Sequence, residues 1–272
     1  MSHKIAGPFD GASEEPAYAA AMSELVEVTQ RGRVTVITMR REAKRNAIDA
    51  ELTAGLDAAL NAFEDDPDQW CAVLTGGTSC FSAGADLVKG PGEPTERGGI
   101  AGLITRRRTK PLVAAVEGVA LGGGLELVLC CDLVVAARDA RFGLPEPKRG
   151  LMADFGGAFR IARHLPANVA RELLLTASDL NAERAERLGL VNRLTEPGQA
   201  LPTAVALAEQ VCENAPLAVR ASLRIVTAAI HGDESALWQA SHAEHAALLQ
   251  SEDLGEGLNA FYERRPTRWV GR

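Results

Sequence analysis

Two glycine-rich stretches and two glutamates hold the residue types best suited to chemistry. Phe81-Ser82-Ala83-Gly84-Ala85-Asp86-Leu87 and Ala120-Leu121-Gly122-Gly123-Gly124-Leu125-Glu126 each follow a buried-strand pattern. Three glycines directly before a helical segment leave its first N–H groups uncovered by side chains. Such donors carry the positive end of the helix dipole and suit an anionic oxygen. Tight strand–helix packing is the other reading of the same pattern. Neither stretch is G-x-G-x-x-G, and neither holds the Gly-Lys-Ser/Thr of a phosphate loop. Glu126 stands in an otherwise apolar helical run, Leu125, Leu127, Val128 and Leu129, where a carboxylate is costly unless paired or functional. A first-turn glutamate favoured by the dipole is the plainer alternative. Glu146 is held between Pro145 and Pro147, which restrict its direction; an exposed loop acid is the bland reading.

Other candidates are weaker. His242 and His245 share a helix face at i, i+3 spacing, but no nearby Cys or Asp completes a metal set, so no metal site is expected. Arg106-Arg107-Arg108 with Lys110 reads as a solvated charge cluster. No G-x-S-x-G elbow is present. Cys71, Cys80, Cys130, Cys131 and Cys212 are odd in number, lack a C-x-x-C pair and sit mostly in apolar stretches. They read as buried free thiols in a reducing, cytoplasmic setting.

The elements that must position these residues follow from apolar periodicity. Strands are expected at 34–39, 71–75, 112–116 and 133–136. Asp49 caps a helix with Leu52, Leu56, Leu60 and Phe63 at helical spacing, and Asp65-Asp66-Pro67 stops it. A short helix is expected from Leu125 to about Cys131. Beyond residue 157 helices dominate: 167–176, 181–188 with Asn181 as cap, 202–214, 216–231, 235–250 and 252–264. Strands alternating with helices, then a helical end, predict an α/β fold. Residues 1–22 have no period and read as a flexible extension, with Met22 as an alternative start.

The chain has 272 residues, 46% hydrophobic and 24% charged, with a formal charge of −7. That balance excludes global disorder. No apolar run approaches the roughly 20 residues of a membrane span. An acidic chain is a poor nucleic-acid binder, since such binding rests on phosphate neutralisation. The chain also carries 26 glycines against 7 Phe, 3 Trp and 2 Tyr, which suggests that backbone stands somewhere in place of side chains.

The motifs Arg45-Asn46-Ala47, 81–87, 116–126, Cys131-Asp132, 142–146, Gly156-Gly157 and 185–191, in this order, resemble the crotonase (enoyl-CoA hydratase/isomerase) superfamily. The resemblance runs from about Leu25 to the C-terminus. It implies a spiral of ββα units over 23–200 holding the active site, and a helical oligomerisation region over 201–272. It further implies a homotrimer or a hexamer built of two trimers, an acyl-CoA substrate that brings its own coenzyme A, and no separate cofactor. The family's oxyanion hole falls on the N–H groups of Ala85 and Gly123. Its two hydratase glutamates fall on Glu126 and Glu146. Ala83, Asp86 and Leu87 fall where the family holds the adenine end of CoA, and Arg45 lies in a loop bordering it.

That resemblance implies reversible addition of water across a 2,3 double bond. Glu126 would be the base, Glu146 the acid, and the two backbone donors would stabilise an enolate-like oxygen. One segment departs from ordinary hydratases: Met152-Ala153-Asp154-Phe155-Gly156-Gly157 holds Asp154 and Phe155 where small residues are usual. It looks closer to carnitinyl-CoA dehydratase, as do Ser251–Asp253, Ala260-Phe261 and 269–272. Asp154 is therefore expected to meet a polar or cationic acyl group, or the water; a plain helix cap is the alternative. A carnitinyl-CoA-type dehydratase, an isomerase and a non-catalytic acyl-CoA binding protein remain as other readings.

Overall fold

The computed structural model describes residues 23–230, 243 and 245–272. The expected extension 1–22, His242 and most of the expected helix 235–250 lie outside them. The strands are β1 (Val26–Arg31), β2 (Val34–Met39), β3 (Cys71–Thr75), β4 (Leu112–Val116), β5 (Val119–Leu121), β6 (Leu133–Ala137), β7 (Arg141–Gly143), β8 (Leu180–Asn181) and β9 (Arg193–Thr195). The helices are α1 (Ala50–Asp65), α2 (Gly123–Val128), α3 (Gly157–His164), α4 (Ala167–Thr176), α5 (Ala182–Arg187), α6 (Ala200–Cys212) and α7 (Pro216–Ala229). A last helix spans Glu252–Glu263.

Six strands form one sheet in the order β1-β2-β3-β4-β6-β9. The β1–β2 hairpin is antiparallel and the remaining pairs are parallel. Alternation along each strand sends side chains to two cores. Ile37, Met39, Ala72, Leu74, Leu112, Ala114 and Val116 meet α1 through Leu52, Leu56, Leu60 and Phe63. Val34, Val36, Cys71, Val73, Val113, Ala115 and Val135 meet Ala200, Ala204, Val205 and Ala208 of α6.

A second, shorter sheet runs β5-β7-β8. Single bridges Ser82↔Ala120 and Ile48↔Ala85 continue it outward. Each turn of the chain thus lays a strand in the large sheet, then a short extended piece in the small one, then a helix. That is the repeating ββα spiral, with helices after residue 157 as expected.

Glu117, 4% exposed at the end of β4, accepts the Ala200 N–H at 2.9 Å and the Gly198 N–H at 3.1 Å and so seats α6 against the sheet. Two readings are corrected. First, α2 starts at Gly123 rather than Leu125, so the glycines supply its first turn. Second, the Arg106–Lys110 run is not a solvated cluster: of its basic residues only Arg107 is exposed. Arg106 bonds Asp57 at 2.5 Å; Lys110 Nζ caps the end of α1 at Phe63 O, 2.7 Å, and Asp66 O, 2.5 Å. Arg108 grips Asp132 with both terminal nitrogens, at 2.6 and 2.8 Å, while Asp132 also accepts the Leu112 N–H. Removing one partner of such a pair strands a charge away from water. Arg108→Met is therefore expected to lower unfolding free energy by about 2–4 kcal/mol. The check is a lower urea midpoint at unchanged slope.

The five cysteines are free thiols, three of them buried. Among the described residues no helix is long and apolar enough to cross a membrane.

Candidate active site

The first glycine turn is held in place from beneath. Asn46 is fully buried with φ +51°, and its side-chain amide donates to the carbonyls of Gly76, Cys80 and Phe81 at 2.8, 2.9 and 3.1 Å. Ser82 Oγ donates to Asn46 O at 2.8 Å and accepts the Gly84 N–H at 3.1 Å. Ile48 then donates to Gly84 O and accepts from Asp86 N, both at 2.8 Å. Alternate N–H groups of an extended strand point to opposite sides, so the Ala85 N–H faces away from Ile48. Arg41, nearly buried, bridges Asp49 at 2.8 Å and Asp86 at 2.9 Å and locks the far end of the turn.

The second turn comes up beside it. Gly122 has φ +53° and donates to Gly143 O at 2.9 Å, after which α2 begins at Gly123. The first N–H of a helix has no partner inside that helix. A Cβ on Gly123 would lie 3.3 Å from Ala85 N, and one on Gly84 would lie 3.1 Å from Gly123 N. The two N–H groups are therefore neighbours. Gly84, at φ +97°, has the conformation and the room that a side chain would remove: its Cβ would strike Leu121 O at 2.7 Å.

Glu126 projects from α2 and is 1% exposed. Its Oε1 accepts the Gly157 N–H at 2.8 Å. Burial raises its pKa to about 7; that hydrogen bond opposes the rise, and the charges of Glu146 and Asp154 add to it. Glu146, in a 3₁₀ turn after Pro145, is half-buried and also raised, first by burial and then by Asp154, with Arg149 opposing. Among the described residues its buried Oε2 has no hydrogen-bond partner. Its Oε1 would lie 2.9 Å from a Cβ on Gly122, so a glycine there admits the carboxylate.

A cleft of ≈ 680 Å³ opens on these groups. Every site residue expected from sequence lines it: Arg45, Ala83, Ala85, Asp86, Leu87, Gly123, Glu126, Glu146 and Asp154. Their parts differ. Asp86 spends its carboxylate on its own loop, where the N–H groups of Lys89 and Val88 and the Arg41 guanidinium hold it down to about 2. Asp154 is not a helix cap: the cap of α3 is Gly156, with no side-chain bond. Asp154 is exposed, lies on the cleft wall beside Phe155 and acts electrostatically on both glutamates.

Sequence reasoning missed the residues that hold the turns. Asn46, Ser82 and Arg41 are polar groups whose partners lie 30 to 45 positions away, at Gly76 for Asn46 and at Asp86 for Arg41. Their types give no local signal of those partners, since Asn, Ser and Arg are mostly exposed residues. Among the described residues no cluster of His, Cys, Asp and Glu could hold a metal ion.

Residues 29–272 match the family model described as enoyl-CoA hydratase/isomerase. A carnitinyl-CoA dehydratase from Salmonella paratyphi A is 38% identical over 262 residues, covering 92% of this chain and 100% of that protein. An enoyl-CoA hydratase structure from Mycobacterium tuberculosis H37Rv superposes with a TM-score of 0.88 at 45% identity, covering 91% of this chain and 99% of that one. A carnitinyl-CoA hydratase structure from Mycobacterium avium gives a TM-score of 0.73 at 41% identity, with the same coverage.

Proposed function

The chain belongs to the enoyl-CoA hydratase/isomerase family, and from that premise we propose that it adds water reversibly across the 2,3 double bond of an acyl-CoA thioester. The observation that carries this reading is a pair of raised carboxylates, Glu126 and Glu146, in one cleft with the adjacent N–H groups of Ala85 and Gly123. The thioester oxygen sits between the two N–H groups. Attack at the β-carbon turns it into an enolate-like oxyanion, which donors fixed before the reaction stabilise without reorganising. Glu126, as carboxylate, orients the water and takes its proton. Glu146, as acid, gives a proton to the α-carbon, and dehydration reverses both roles. Both carboxyls are raised, first by burial, so each holds a proton more readily than an exposed glutamate, as the acid–base work requires. Isomerisation in this superfamily can work with one acid–base group; two facing the same cleft favour the hydratase.

Arg45 and the backbone of Ala83, Asp86 and Leu87 form the end of the cleft for the CoA portion, and coenzyme A enters only as part of the substrate. A homotrimer or a dimer of trimers is the assembly in this reading. Leu175, Val226 and Ile230, at 80%, 62% and 53% exposed, support it as apolar surface for neighbouring copies.

Asp154 favours a second, narrower reading: a dehydratase or hydratase whose acyl group is cationic. It adds a third carboxylate to the cleft, next to the aromatic Phe155, and an anionic wall with an aromatic face suits an ammonium. The test is a panel of enoyl-CoA esters, short neutral chains beside one bearing a trimethylammonium group, followed by loss of the conjugated absorbance. Turnover of at least one ester is expected. On the narrower reading Asp154→Asn lowers kcat/KM for the cationic ester about tenfold relative to the neutral ones. An unchanged ratio discards the narrower reading. Binding of all esters with no absorbance change discards the enzyme in favour of a binding protein.

A further inference from the structure

We propose that the Ser82 hydroxyl is a positioning residue that sets the spacing of the two N–H groups facing the thioester oxygen; this rests on the acyl-thioester reading above. Ser82 is fully buried and touches both glycine turns at once. Its Oγ accepts the N–H of Gly84, the residue before Ala85. Its main chain donates to Val119 O and accepts from Leu121 N, both at 3.0 Å, and so fixes the strand that leads into Gly122 and Gly123. The first turn of α2 also rests on it: a Cβ on Gly124 would lie 2.4 Å from Ser82 O and 2.9 Å from Ser82 Cβ. The hydroxyl proton has its own fixed acceptor, Asn46 O, and Asn46 is anchored by three further carbonyls and by the Arg41 N–H at 2.8 Å.

A chain of hydrogen bonds therefore runs from the Arg41–Asn46 loop through Ser82 to the backbone beside Ala85, while the main chain of the same serine carries the second donor. The hydroxyl reaches neither the cleft nor the carboxylates, so its effect passes only through the turns. Without it the Gly84 N–H loses its acceptor, and the peptide that carries the Ala85 donor is held from the Ile48 side alone and can tilt relative to Gly123. A positioned donor is worth much more in the transition state than in the ground state, so the loss falls on turnover rather than on binding.

The test compares Ser82→Ala with the unaltered protein, using a 3-aryl-acryloyl-CoA as an optical probe and crotonyl-CoA as substrate. Polarisation of the thioester carbonyl by two donors moves the absorbance of the bound probe to longer wavelength. The unaltered protein is expected to show that shift. Ser82→Ala is expected to bind the probe within about threefold, to show a smaller shift, and to lose about 10- to 100-fold in kcat with KM changed less than threefold. If Ser82→Ala does not fold, Ser82→Cys is measured the same way, its weak S–H bonding giving a shift between those of serine and alanine. A full shift and full kcat in the variant that folds overturn the role of Ser82. No shift and no turnover in the unaltered protein overturn the acyl-thioester reading instead.

Discussion

Glu126→Gln is expected to lower kcat by about 10²–10⁴-fold, the range of a lost general acid or base, with KM and ester binding changed less than threefold. Glu146→Gln is expected to do the same. Because the two carboxylates act on one water and one carbon pair, the double variant should fall little below either single one. The Glu126 variant carries a second signature, in stability. Folding raises the Glu126 carboxyl from 4.5 to about 7, first through burial. The folded state thus binds a proton more tightly than the unfolded chain between those values, and the protein loses stability as pH rises through that window. Above it the cost is of order 3 kcal/mol for a side chain so deeply buried. Gln cannot ionise, so Glu126→Gln should melt higher than the unaltered protein at pH 8 and near it at pH 4. A variant that is both slower and more stable marks a carboxylate kept for its chemistry. Equal melting at both pH values would remove the pKa argument, and a near-normal rate in both single variants would remove the two-glutamate mechanism.

Gly123→Pro carries the second large effect. Gly123 is the first residue of α2, a position where proline's fixed φ and missing N–H are tolerated. The helix should survive, but one of the two donors disappears, and the ring carbon that replaces its hydrogen points to the place of the oxyanion. Losing one such donor costs about 10²–10³ in kcat. Circular dichroism close to that of the unaltered protein, with turnover down by that factor or more, is the expected result. A proline variant with normal kcat would show that the Gly123 N–H does not meet the reacting oxygen.

Much of this arrangement was legible in the residues. The strands at 34–39, 71–75 and 112–116 and the helix at 167–176 emerge with the expected bounds, because the strands are short runs rich in apolar residues and the helix opens directly after Pro166. Asp49 and Asn181 cap their helices as read, accepting the N–H groups of Leu52 at 3.1 Å and Arg184 at 2.8 Å. Glu126 announced itself as a carboxylate in an apolar run. What stayed hidden is long-range. Strands of two or three residues, such as β5, β7 and β8, are too short to show a period. Arg106 and Arg108 look solvated until Asp57 and Asp132, 49 and 24 positions away, are brought to them. The adjacency of Ala85 and Gly123 depends on Asn46 and Ser82, whose types say nothing locally about the turns they join.

The central claim is that one site adds water at the β-carbon and a proton at the α-carbon of a thioester held by two backbone donors. The most direct measurement follows an enoyl-CoA that the protein turns over, incubated in ¹⁸O-labelled heavy water and read by mass spectrometry. The account predicts a 3-hydroxyacyl-CoA with one ¹⁸O at the β-carbon and one deuterium at the α-carbon, both lost in Glu126→Gln and Glu146→Gln. Deuterium without ¹⁸O, the mark of an isomerase, would contradict it, as would ester bound and recovered with neither label.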